Sequence, residues 1–431
     1  MKKINVVTLG CSKNTVDSEH LAAQLAAAGY QIVFDSNRTD AKVVVINTCG
    51  FIGDAKQESI DTILRFAAAK EQGLIERLFV IGCLSERYAD ELRAEIPEVD
   101  DYFGARDMQG IARVLCAAGD PDTSTERLTS TPKHYAYLKI AEGCNWHCGY
   151  CAIPLIRGPH RSVPMERCVE EAERLAAQGV RELIVIAQDT TYYGRDLYGR
   201  RALAELLERL CKVEGIEWIR LHYAYPTDFP QDVIEVMARE KKICPYLDIP
   251  FQHISDHQLT LMKRRHTKAE AVALIEKLRT RIPDLALRTT MLVGYPGETE
   301  ADFEELCEFI GEVKFERFGA FAYSREENTP AYDFENQVEE QVKIDRADMI
   351  MQKQMLISAD HNQMQLGKIL TVLCEGFDAV SEAHFGRSYM DAPEIDGKVY
   401  FTSKTRIPEG EFVKVEITDI LDYDLIGEAL I

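Results

Sequence analysis

The chain has 431 residues, 46% of them hydrophobic and 28% charged, and its formal net charge is −21. This length exceeds what one ordinary core organises and indicates two to four domains, while no apolar run reaches the length of a membrane span. The strong negative charge argues against a protein whose main task is to grip nucleic-acid phosphates, and it suits a basic protein partner.

Residues 1–128 alternate strand and helix patterns. The apolar stretch at the start is too short for an export signal and carries Asn5, so we expect a first strand and a cytoplasmic protein with no membrane association. The alternation predicts a small doubly wound parallel sheet, followed by a polar linker at residues 120–125. The predicted strands are Ile4–Leu9, Lys42–Ile46 and Arg77–Ile81, and the predicted helices are Asp17–Ala28, Lys56–Lys70 and Glu86–Ile96.

Residues 133–366 repeat the alternation over a longer stretch. Six strand–helix units of this kind predict an open (βα)6 barrel with its site at the carboxyl ends of the strands. Residues 335–366 are polar and predict one or two helices leading to the tail. The predicted strands are Tyr135–Ala141, Glu182–Ala187, Trp218–His222, Tyr246–Ile249, Ala286–Val293 and Arg317–Tyr323, with helices such as Glu166–Gln178 and Ala202–Lys212 between them.

The tail, residues 367–431, changes to short alternating runs separated by glycine, proline and aspartate. Ile369–Cys374, Lys398–Phe401 and Phe412–Ile417 are such runs, and they predict a small antiparallel β-barrel. The tail carries thirteen acidic against six basic residues. An RNA-reading barrel needs a basic, aromatic-bearing face, so we expect a basic protein partner and no direct reading of nucleic acid.

Three of the twelve cysteines form the most specific motif in the chain. A long chain without an export signal keeps its cysteines as thiols, so some are available to bind metal. Cys144, Cys148 and Cys151 directly follow a predicted strand. Their short loop suits a cuboidal 4Fe–4S cluster, in which three protein ligands leave one iron open. The alternative is structural zinc, which needs a fourth ligand such as His147 or His160.

Three further cysteines share a common position at the ends of predicted strands. Cys11, Cys49 and Cys83 each lie beside a glycine where a strand gives way to a helix. In a doubly wound sheet these loops meet at one edge, near helix N-termini that stabilise thiolates, which predicts a second three-thiol metal site. Taken singly, each cysteine is more often explained by ordinary packing, and it is the threefold repetition of the position that favours a metal site. Six other cysteines are predicted to be structural: Cys116, Cys168, Cys211, Cys244, Cys307 and Cys374.

The C-x3-C-x-aromatic-C motif of residues 144–151 resembles the radical S-adenosylmethionine (SAM) superfamily. The resemblance implies that the open iron chelates the amino and carboxylate groups of SAM and that Tyr150 lies near the adenine; the alternative for Tyr150 is a core aromatic. Gln188 and Gln252, at the ends of predicted strands, are candidates for binding the nucleoside. Arg264 matches an arginine that meets the SAM carboxylate in this superfamily, and otherwise lies on a solvated helix face.

Two three-cysteine sites and a terminal barrel resemble the methylthiotransferase family along essentially the whole chain. The resemblance implies a methylthiotransferase domain (1–128), a radical SAM barrel with linking helices (133–366) and a TRAM domain (367–431). It implies two 4Fe–4S clusters, SAM as the source of a radical and of a methyl group, sulfur delivery at the N-terminal cluster, and an electron donor protein.

Several segments are similar to the branch of the family that modifies a ribosomal protein. The tRNA branch usually has Gln-Met-Asn after its first cysteine, where this chain has Ser12-Lys13-Asn14. The implied substrate is the β-carbon of an aspartate on the twelfth protein of the small ribosomal subunit. The alternatives are a tRNA adenosine methylthiotransferase and a non-catalytic two-cluster redox protein. The similar segments are Leu9–Asn14, Asn47–Ile52, Ile153–Gly158, Tyr246–His253 and Asp391–Gly397.

Overall fold

The computed structural model describes residues 2–36, 40–116 and 126–430. The predicted linker at 120–125 lies outside these ranges. Within them, no helix is both long enough and apolar enough to cross a membrane.

The N-terminal region is a five-stranded sheet with helices on both faces. All pairings are parallel and the strand order is 2-1-3-4-5, so the predicted doubly wound sheet is confirmed. The order reverses between the first and third strands, where the carboxyl ends of such sheets form a binding crevice. Its elements are β1 (Lys3–Thr8), α1 (Ser12–Ala27), β2 (Gln31–Phe34), β3 (Val43–Thr48), α2 (Gly53–Glu71), β4 (Arg77–Gly82), α3 (Cys83–Glu95), β5 (Asp101–Gly104) and α4 (Met108–Leu115).

The central region is built on six parallel strands. The strands of this region are β6 (Tyr135–Lys139), β7 (Ala141–Glu142), β8 (Arg161–Ser162), β9 (Glu182–Ile186), β10 (Trp218–Leu221), β11 (Ile243–Asp248), β12 (Ala286–Val293) and β13 (Arg317–Ala322). Strands β6 and β9–β13 pair in sequential order, while β7 and β8 form a short antiparallel pair. Edge strands β6 and β13 are not paired with each other in the described sheet, which confirms the predicted open barrel.

Helices cover the outside of this open barrel. Two of them begin at capping boxes. The side chain of Thr267 or Thr299 accepts the backbone N–H of Glu270 or Asp302, and the Glu270 or Asp302 side chain accepts the backbone N–H of the threonine, which fixes where each helix starts. The helices are α5 (Ile153–Arg157), α6 (Met165–Ala177), α7 (Leu203–Leu210), α8 (Gln231–Arg239), α9 (Asp256–Leu261), α10 (Lys268–Arg281), α11 (Glu300–Val313) and α12 (Glu340–Gln363).

Helix α12 is the single continuous helix found in the predicted 335–366 segment. Its side chains Ile350 and Ile357 are buried in the barrel core, so the helix packs against the sheet instead of acting as a free spacer.

The C-terminal region is a closed five-stranded barrel. Its strands are β14 (Ile369–Asp378), β15 (Ala383–Arg387), β16 (Val399–Thr402), β17 (Phe412–Ile420) and β18 (Leu425–Ala429). The order is β14-β15-β16-β18-β17, and all pairings are antiparallel except β16 with β18. The predicted small barrel is confirmed, with one parallel pair added.

The C-terminal barrel is fixed to the amino-terminal ends of the central strands. Its hydrophobic core includes Tyr246 and Ala286 from the central sheet. Arg387 of β15 forms an ion pair of 2.6 Å with Glu182 at the start of β9, and both side chains are buried. One end of the central barrel is therefore closed, which leaves the carboxyl ends of its strands as the accessible end.

Candidate functional site

Cys11, Cys49 and Cys83 lie in three loops that contact each other at the carboxyl edge of the N-terminal sheet. Cys11 sits between β1 and α1, Cys49 follows β3, and Cys83 is the first residue of α3. A β-carbon placed on Gly10 would lie 2.7 Å from the β-carbon and 3.0 Å from the Sγ of Cys49, and Gly10 has φ of +93°. Only glycine permits this approach, so the glycine beside Cys11 brings the first two loops together.

The third loop is joined in the same way. A β-carbon on Gly50 would lie 2.7 Å from the backbone nitrogen of Leu84, the residue after Cys83. Gly82 has φ of +103°, and a β-carbon there would lie 2.6 Å from the carbonyl oxygen of Thr48. The structure therefore brings the three thiols of the predicted N-terminal site together.

Side-chain amides and hydroxyls hold these loops in place. Asn14 Nδ2 donates to the carbonyls of Leu9 (2.8 Å) and Thr48 (3.1 Å), which ties the first loop to the second. The Cys49 backbone N–H donates to Ser59 Oγ at 3.0 Å. These bonds satisfy buried polar groups at the strand ends and hold the loops that carry the thiols.

Burial controls the protonation of Cys49 and Cys83. Burial raises the pKa of Cys49, and it raises the pKa of Cys83 to about 12 despite the opposing charge of Arg157. These two thiols are therefore protonated at neutral pH when no metal is present, and metal binding must displace their protons. Three thiols in a partly buried pocket are a donor set that fits iron–sulfur chemistry.

Arg157, at the end of α5, links this site to the second one. Its Nη2 lies 3.3 Å from the Cys83 sulfur, and its Nη1 donates to Asp17 (2.6 Å) and to Glu142 (3.1 Å). Lys139 bonds the same two carboxylates, and together the two cations lower the pKa of Glu142 to about 2 although burial raises it. Because Glu142 precedes Cys144 by two residues, Arg157 joins the Cys83 loop to the segment that leads into the second group of thiols.

The loop that carries Cys144, Cys148 and Cys151 follows β7 and is fixed by its backbone. The Cys144 N–H donates to the Gly158 carbonyl (3.0 Å), and the Gly149 N–H donates to the Met262 carbonyl (2.9 Å). The Cys151 N–H donates to the Cys148 carbonyl (3.1 Å), which turns the chain between these two thiols. Backbone hydrogen bonds therefore define the course of this loop, and the Trp146 N–H adds a bond to the Cys144 sulfur at 3.4 Å.

The three thiols of this loop converge in a desolvated pocket. Burial, together with the neighbouring Cys148 and Cys144 thiols, raises the pKa of Cys151, and burial raises the pKa of Cys144 to about 12. Trp146 stacks on Tyr225 at 4.3 Å, and its indole N–H donates to Asp189 at 2.7 Å. These aromatic rings form a wall of the pocket.

Arg264 lies against the second group of thiols and is buried, so it is not on the solvated helix face that was its alternative. Its Nη1 is 3.8 Å from Cys148 Sγ and 3.4 Å from the Tyr150 hydroxyl, and Nη2 donates to the Pro250 carbonyl at 2.6 Å. Its Nε has no hydrogen-bond partner among the described residues. A buried guanidinium with a spare donor and no carboxylate beside it fits an anionic ligand.

The other predicted SAM contacts have different surroundings. The Tyr150 ring meets Tyr295 edge-on at 6.4 Å in a small apolar cluster, with its hydroxyl beside Arg264. Gln188 donates to the Glu142 carboxylate, so it lies beside the charged network between the two sites. Gln252 follows β11 with φ of +73°, and its backbone bonds to Thr290 and Leu292 of β12.

The zinc alternative requires donors gathered around a single ion. No three His, Cys, Asp or Glu side chains are arranged to hold a single metal ion in the part of the chain that the structure describes. Thiolates around one zinc lie about 3.8 Å apart, whereas a cuboidal cluster spreads its ligands over separate iron atoms. Of the two proposed fourth ligands, His160 is already within 3.0 Å of Ser162 Oγ, and His147 is exposed.

Sequence reasoning about ligands did not single out Arg157, Glu142 or Trp146. Their roles depend on contacts across 15 to 143 positions of the chain, such as that of Arg157 with Asn14. The available signal was a lone cation at the end of the apolar run Ile153–Ile156, which favours a buried and therefore paired arginine.

Comparison with known families divides the chain as the fold does. The Radical SAM superfamily matches residues 138–310, the TRAM domain matches residues 366–430, and a family described as "Uncharacterized protein family UPF0004" matches residues 3–104. Among solved structures, the radical SAM methyltransferase TsrM from Kitasatospora setae has a TM-score of 0.57 at 13% identity, covering 77% of each chain. The cobalamin-dependent radical enzyme OxsB has a TM-score of 0.53 at 11% identity, covering 82% of this chain and 56% of its own. At these identities the likeness shows the fold alone.

Curated relatives match along nearly the full length. A protein of Christiangramia forsetii is 52% identical over 99% of this chain and 94% of its own, and one of Flavobacterium johnsoniae is 53% identical over 99% and 98%. A protein of Bacteroides thetaiotaomicron is 48% identical over 100% and 98%. All three are named "Ribosomal protein uS12 methylthiotransferase RimO". The chain therefore belongs to the RimO family of radical SAM methylthiotransferases.

Proposed function

We propose that this protein transfers a methylthio group to the β-carbon of an aspartate on ribosomal protein uS12. One observation carries the proposal: two thiol groups lie at adjoining strand ends of two domains, with Arg157 contacting the Cys83 sulfur and, through Glu142, the loop of the other group. A reaction that joins a radical-forming step to sulfur delivery needs two such sites side by side. The names of the full-length relatives support uS12 as the substrate.

Each thiol group has a proposed role. Cys144, Cys148 and Cys151 hold a 4Fe–4S cluster, with the free Nε of Arg264 placed for the SAM carboxylate and Tyr150 beside it. Cys11, Cys49 and Cys83 hold a second 4Fe–4S cluster. When bound, the first cluster and SAM together supply a carbon-centred radical, and the second supplies the site for the transferred sulfur.

The chain's own residues give this chemistry a suitable environment. Trp146 and Tyr225 shield the thiols of the second loop, and a buried site protects a reactive carbon radical from water. Arg157 brings a positive charge to the Cys83 sulfur, which stabilises a thiolate there. Gln188 donates to the Glu142 carboxylate between the two sites, and its Oε1 has no hydrogen-bond partner among the described residues, so Gln188 stays a candidate SAM contact.

The charge of the molecule suits the proposed partners. The C-terminal barrel carries thirteen acidic and six basic residues, and ribosomal proteins are typically basic. We infer a division into a methylthiotransferase domain (1–128), a radical SAM domain with linking helices (133–366) and a TRAM domain (367–431). We further infer that the protein is cytoplasmic, because its substrate belongs to the ribosome. We also infer that it receives electrons from a donor protein.

The decisive experiment compares substrates and clusters in the anaerobically reconstituted protein. We expect about eight iron and eight sulfide per chain, and a mass gain of one methylthio group on uS12 but not on tRNA. Cys148→Ala is expected to abolish 5′-deoxyadenosine formation and to leave about four iron at the N-terminal site. Cys168→Ala, a buried cysteine of α6 away from both groups, is the matched control.

Three results would contradict the proposal. Modification of tRNA instead of uS12 would reassign the substrate. Failure of the unmodified protein to consume SAM under strong reductant would indicate a redox protein. Zinc in place of iron would remove both proposed clusters.

A further inference from the structure

The buried cations of this protein are almost all paired with carboxylates. Of the eight buried lysine and arginine residues among the described ranges, six form an ion pair with aspartate or glutamate, and Lys13 and Arg264 form none. Burying a charge without a partner is costly, so an exception needs a reason. The six paired cations are Arg127, Arg157, Arg220, Lys343, Arg346 and Arg387.

The two exceptions lie beside the two thiol groups, one at each. Arg264 contacts Cys148, and Lys13 is two residues beyond Cys11 in the first turn of α1. For Arg264 the missing anion is the proposed SAM carboxylate. The same argument applied to Lys13 asks which anion completes its surroundings.

Lys13 extends from the N-terminal domain into the accessible end of the central barrel. The residue is 8% exposed, and its Nζ lies 3.0 Å from the centroid of the Tyr223 ring, just beyond the carboxyl end of β10. One turn further along α1, Val16 packs with Tyr137 and Ile186. Helix α1 thus packs against β6 and β9 of the barrel, and Lys13 lies where the two domains meet.

The aromatic contact compensates only part of the burial of this charge. A tyrosine ring attracts a cation through its face, whereas a carboxylate also satisfies the ammonium's N–H donors. Nearby carboxylates are occupied by other cations: Asp17 by Arg157 and Lys139, and Asp248 by Arg288. No ion pair joins Lys13 to a carboxylate of the described residues, so its ammonium is available to an anionic ligand.

We propose that Lys13 binds the side-chain carboxylate of the substrate aspartate and makes the enzyme selective for aspartate. This inference rests on the proposed function, which requires an aspartate β-carbon between the two thiol groups. A carboxylate could also come from a SAM molecule, and the test below separates the two sources. Lys13 then determines specificity through a charge-assisted hydrogen bond that an asparagine side chain cannot replace at equal strength.

The test measures how strongly the protein distinguishes aspartate from asparagine. Fluorescent uS12 peptides with Asp or Asn at the modified position are titrated into the reconstituted protein, and anisotropy gives each dissociation constant. We expect the unaltered protein to prefer the Asp peptide by about tenfold or more, as one charged hydrogen bond implies. Lys13→Gln and Lys13→Met should bring the ratio close to one by weakening only the Asp complex.

Matched controls and contrary outcomes complete the test. Lys42→Met removes an exposed lysine that donates only to the Leu74 carbonyl and should keep the full preference. Iron content and circular dichroism identify any variant that fails to fold. If one of the two Lys13 variants fails to fold, the other still tests the proposal. A ratio unchanged in both Lys13 variants overturns the proposal, as does a raised SAM dissociation constant with the peptide ratio intact. If the unaltered protein leaves uS12 unmodified while cleaving SAM, the proposed substrate itself fails.

Discussion

Arg157 joins the Cys83 loop to the carboxylates of Asp17 and Glu142. It is buried, and it shares the carboxylates of Asp17 and Glu142 with Lys139. Removing one member of a buried ion network leaves charge uncompensated in a poorly solvating interior. The arginine should therefore matter for stability even before any metal is bound.

We expect Arg157→Met to lower the free energy of unfolding of the metal-free protein by about 3 kcal/mol, because the change leaves two buried carboxylates with a single cation. Urea unfolding followed by circular dichroism measures this. Arg106→Met is the control, since its ion pair with Glu86 has an arginine side chain that is 54% exposed and should contribute about 1 kcal/mol or less. Equal effects of the two substitutions would show that the Arg157 network is not stabilising.

The thiols could be located from the sequence because their signal is local, whereas the charged residues around them could not. Each of Cys11, Cys49 and Cys83 follows an apolar strand and adjoins a glycine, and parallel topology brings such positions together. Lys13 and Arg157 carry no comparable mark, since a lysine in the first turn of a helix is usually solvated. Only tertiary packing shows that both are buried.

At the level of elements, every predicted strand of the two parallel sheets is present, the edge strands β6 and β13 included. β3 and β4 are apolar runs buried between helices, and burial produces the pattern that predicts them. The unpredicted strands β2 and β5 are four-residue edge strands, and β2 is only partly buried, so neither has a strong apolar run. Helix α3 begins at Cys83 instead of Glu86, because Gly82 supplies the positive φ that starts it there.

Glycines allow the three loops of the N-terminal site to lie close together, and this can be tested by substituting one of them. Gly82→Ala would force a β-carbon to within 2.6 Å of the Thr48 carbonyl and separate the Cys49 and Cys83 loops. We expect the reconstituted variant to hold about four iron per chain instead of about eight, with the barrel site still loaded. Iron analysis and the rate of 5′-deoxyadenosine formation report on the two sites separately.

Gly29→Ala is the control for this prediction. Gly29 has φ of +91° but no neighbour within 4 Å of an added β-carbon, so it carries the same backbone strain without the crowding. If Gly29→Ala loses as much iron as Gly82→Ala, backbone strain alone explains the loss, and the close contact between the loops does not.

Across the whole molecule, the C-terminal barrel acts as a closure for the central one. Its β15–β16 connection places Asp391 against Arg317 and Asp396 against Arg288, at the ends of strands opposite the thiols. Such a barrel is not free to swing over the site, so it presents its acidic surface from a fixed position. The substrate protein must therefore approach the thiols from the accessible end while the barrel supports the opposite end.

The ion pairs of this closure predict a pH dependence of stability. Burial raises the pKa of Glu182, but the guanidinium groups of Arg387 and Arg220 outweigh it and hold that pKa at about 2. The pKa of Glu182 in the unfolded chain is about 4.5. The ionised carboxylate therefore stabilises the fold fully above pH 4.5, and this stabilisation is lost as the pH falls towards 2. A depression of this size corresponds to about 3 kcal/mol at pH 7 and to about 1 kcal/mol at pH 3.

We therefore expect Glu182→Gln to destabilise the protein strongly at neutral pH and much less at pH 3, as measured by urea unfolding at both values. Glu205→Gln is the control, because its partners Arg200 and Arg209 lie on the surface and its removal should cost about 1 kcal/mol or less at either pH. If these ion pairs hold the C-terminal barrel in place, the difference in free energy of unfolding between Glu182→Gln and the unaltered protein must become smaller on acidification. A gap that stays constant from pH 7 to pH 3 would mean that apolar contacts around Tyr246 and Ala286 supply the attachment, with the charged pairs contributing no net stability.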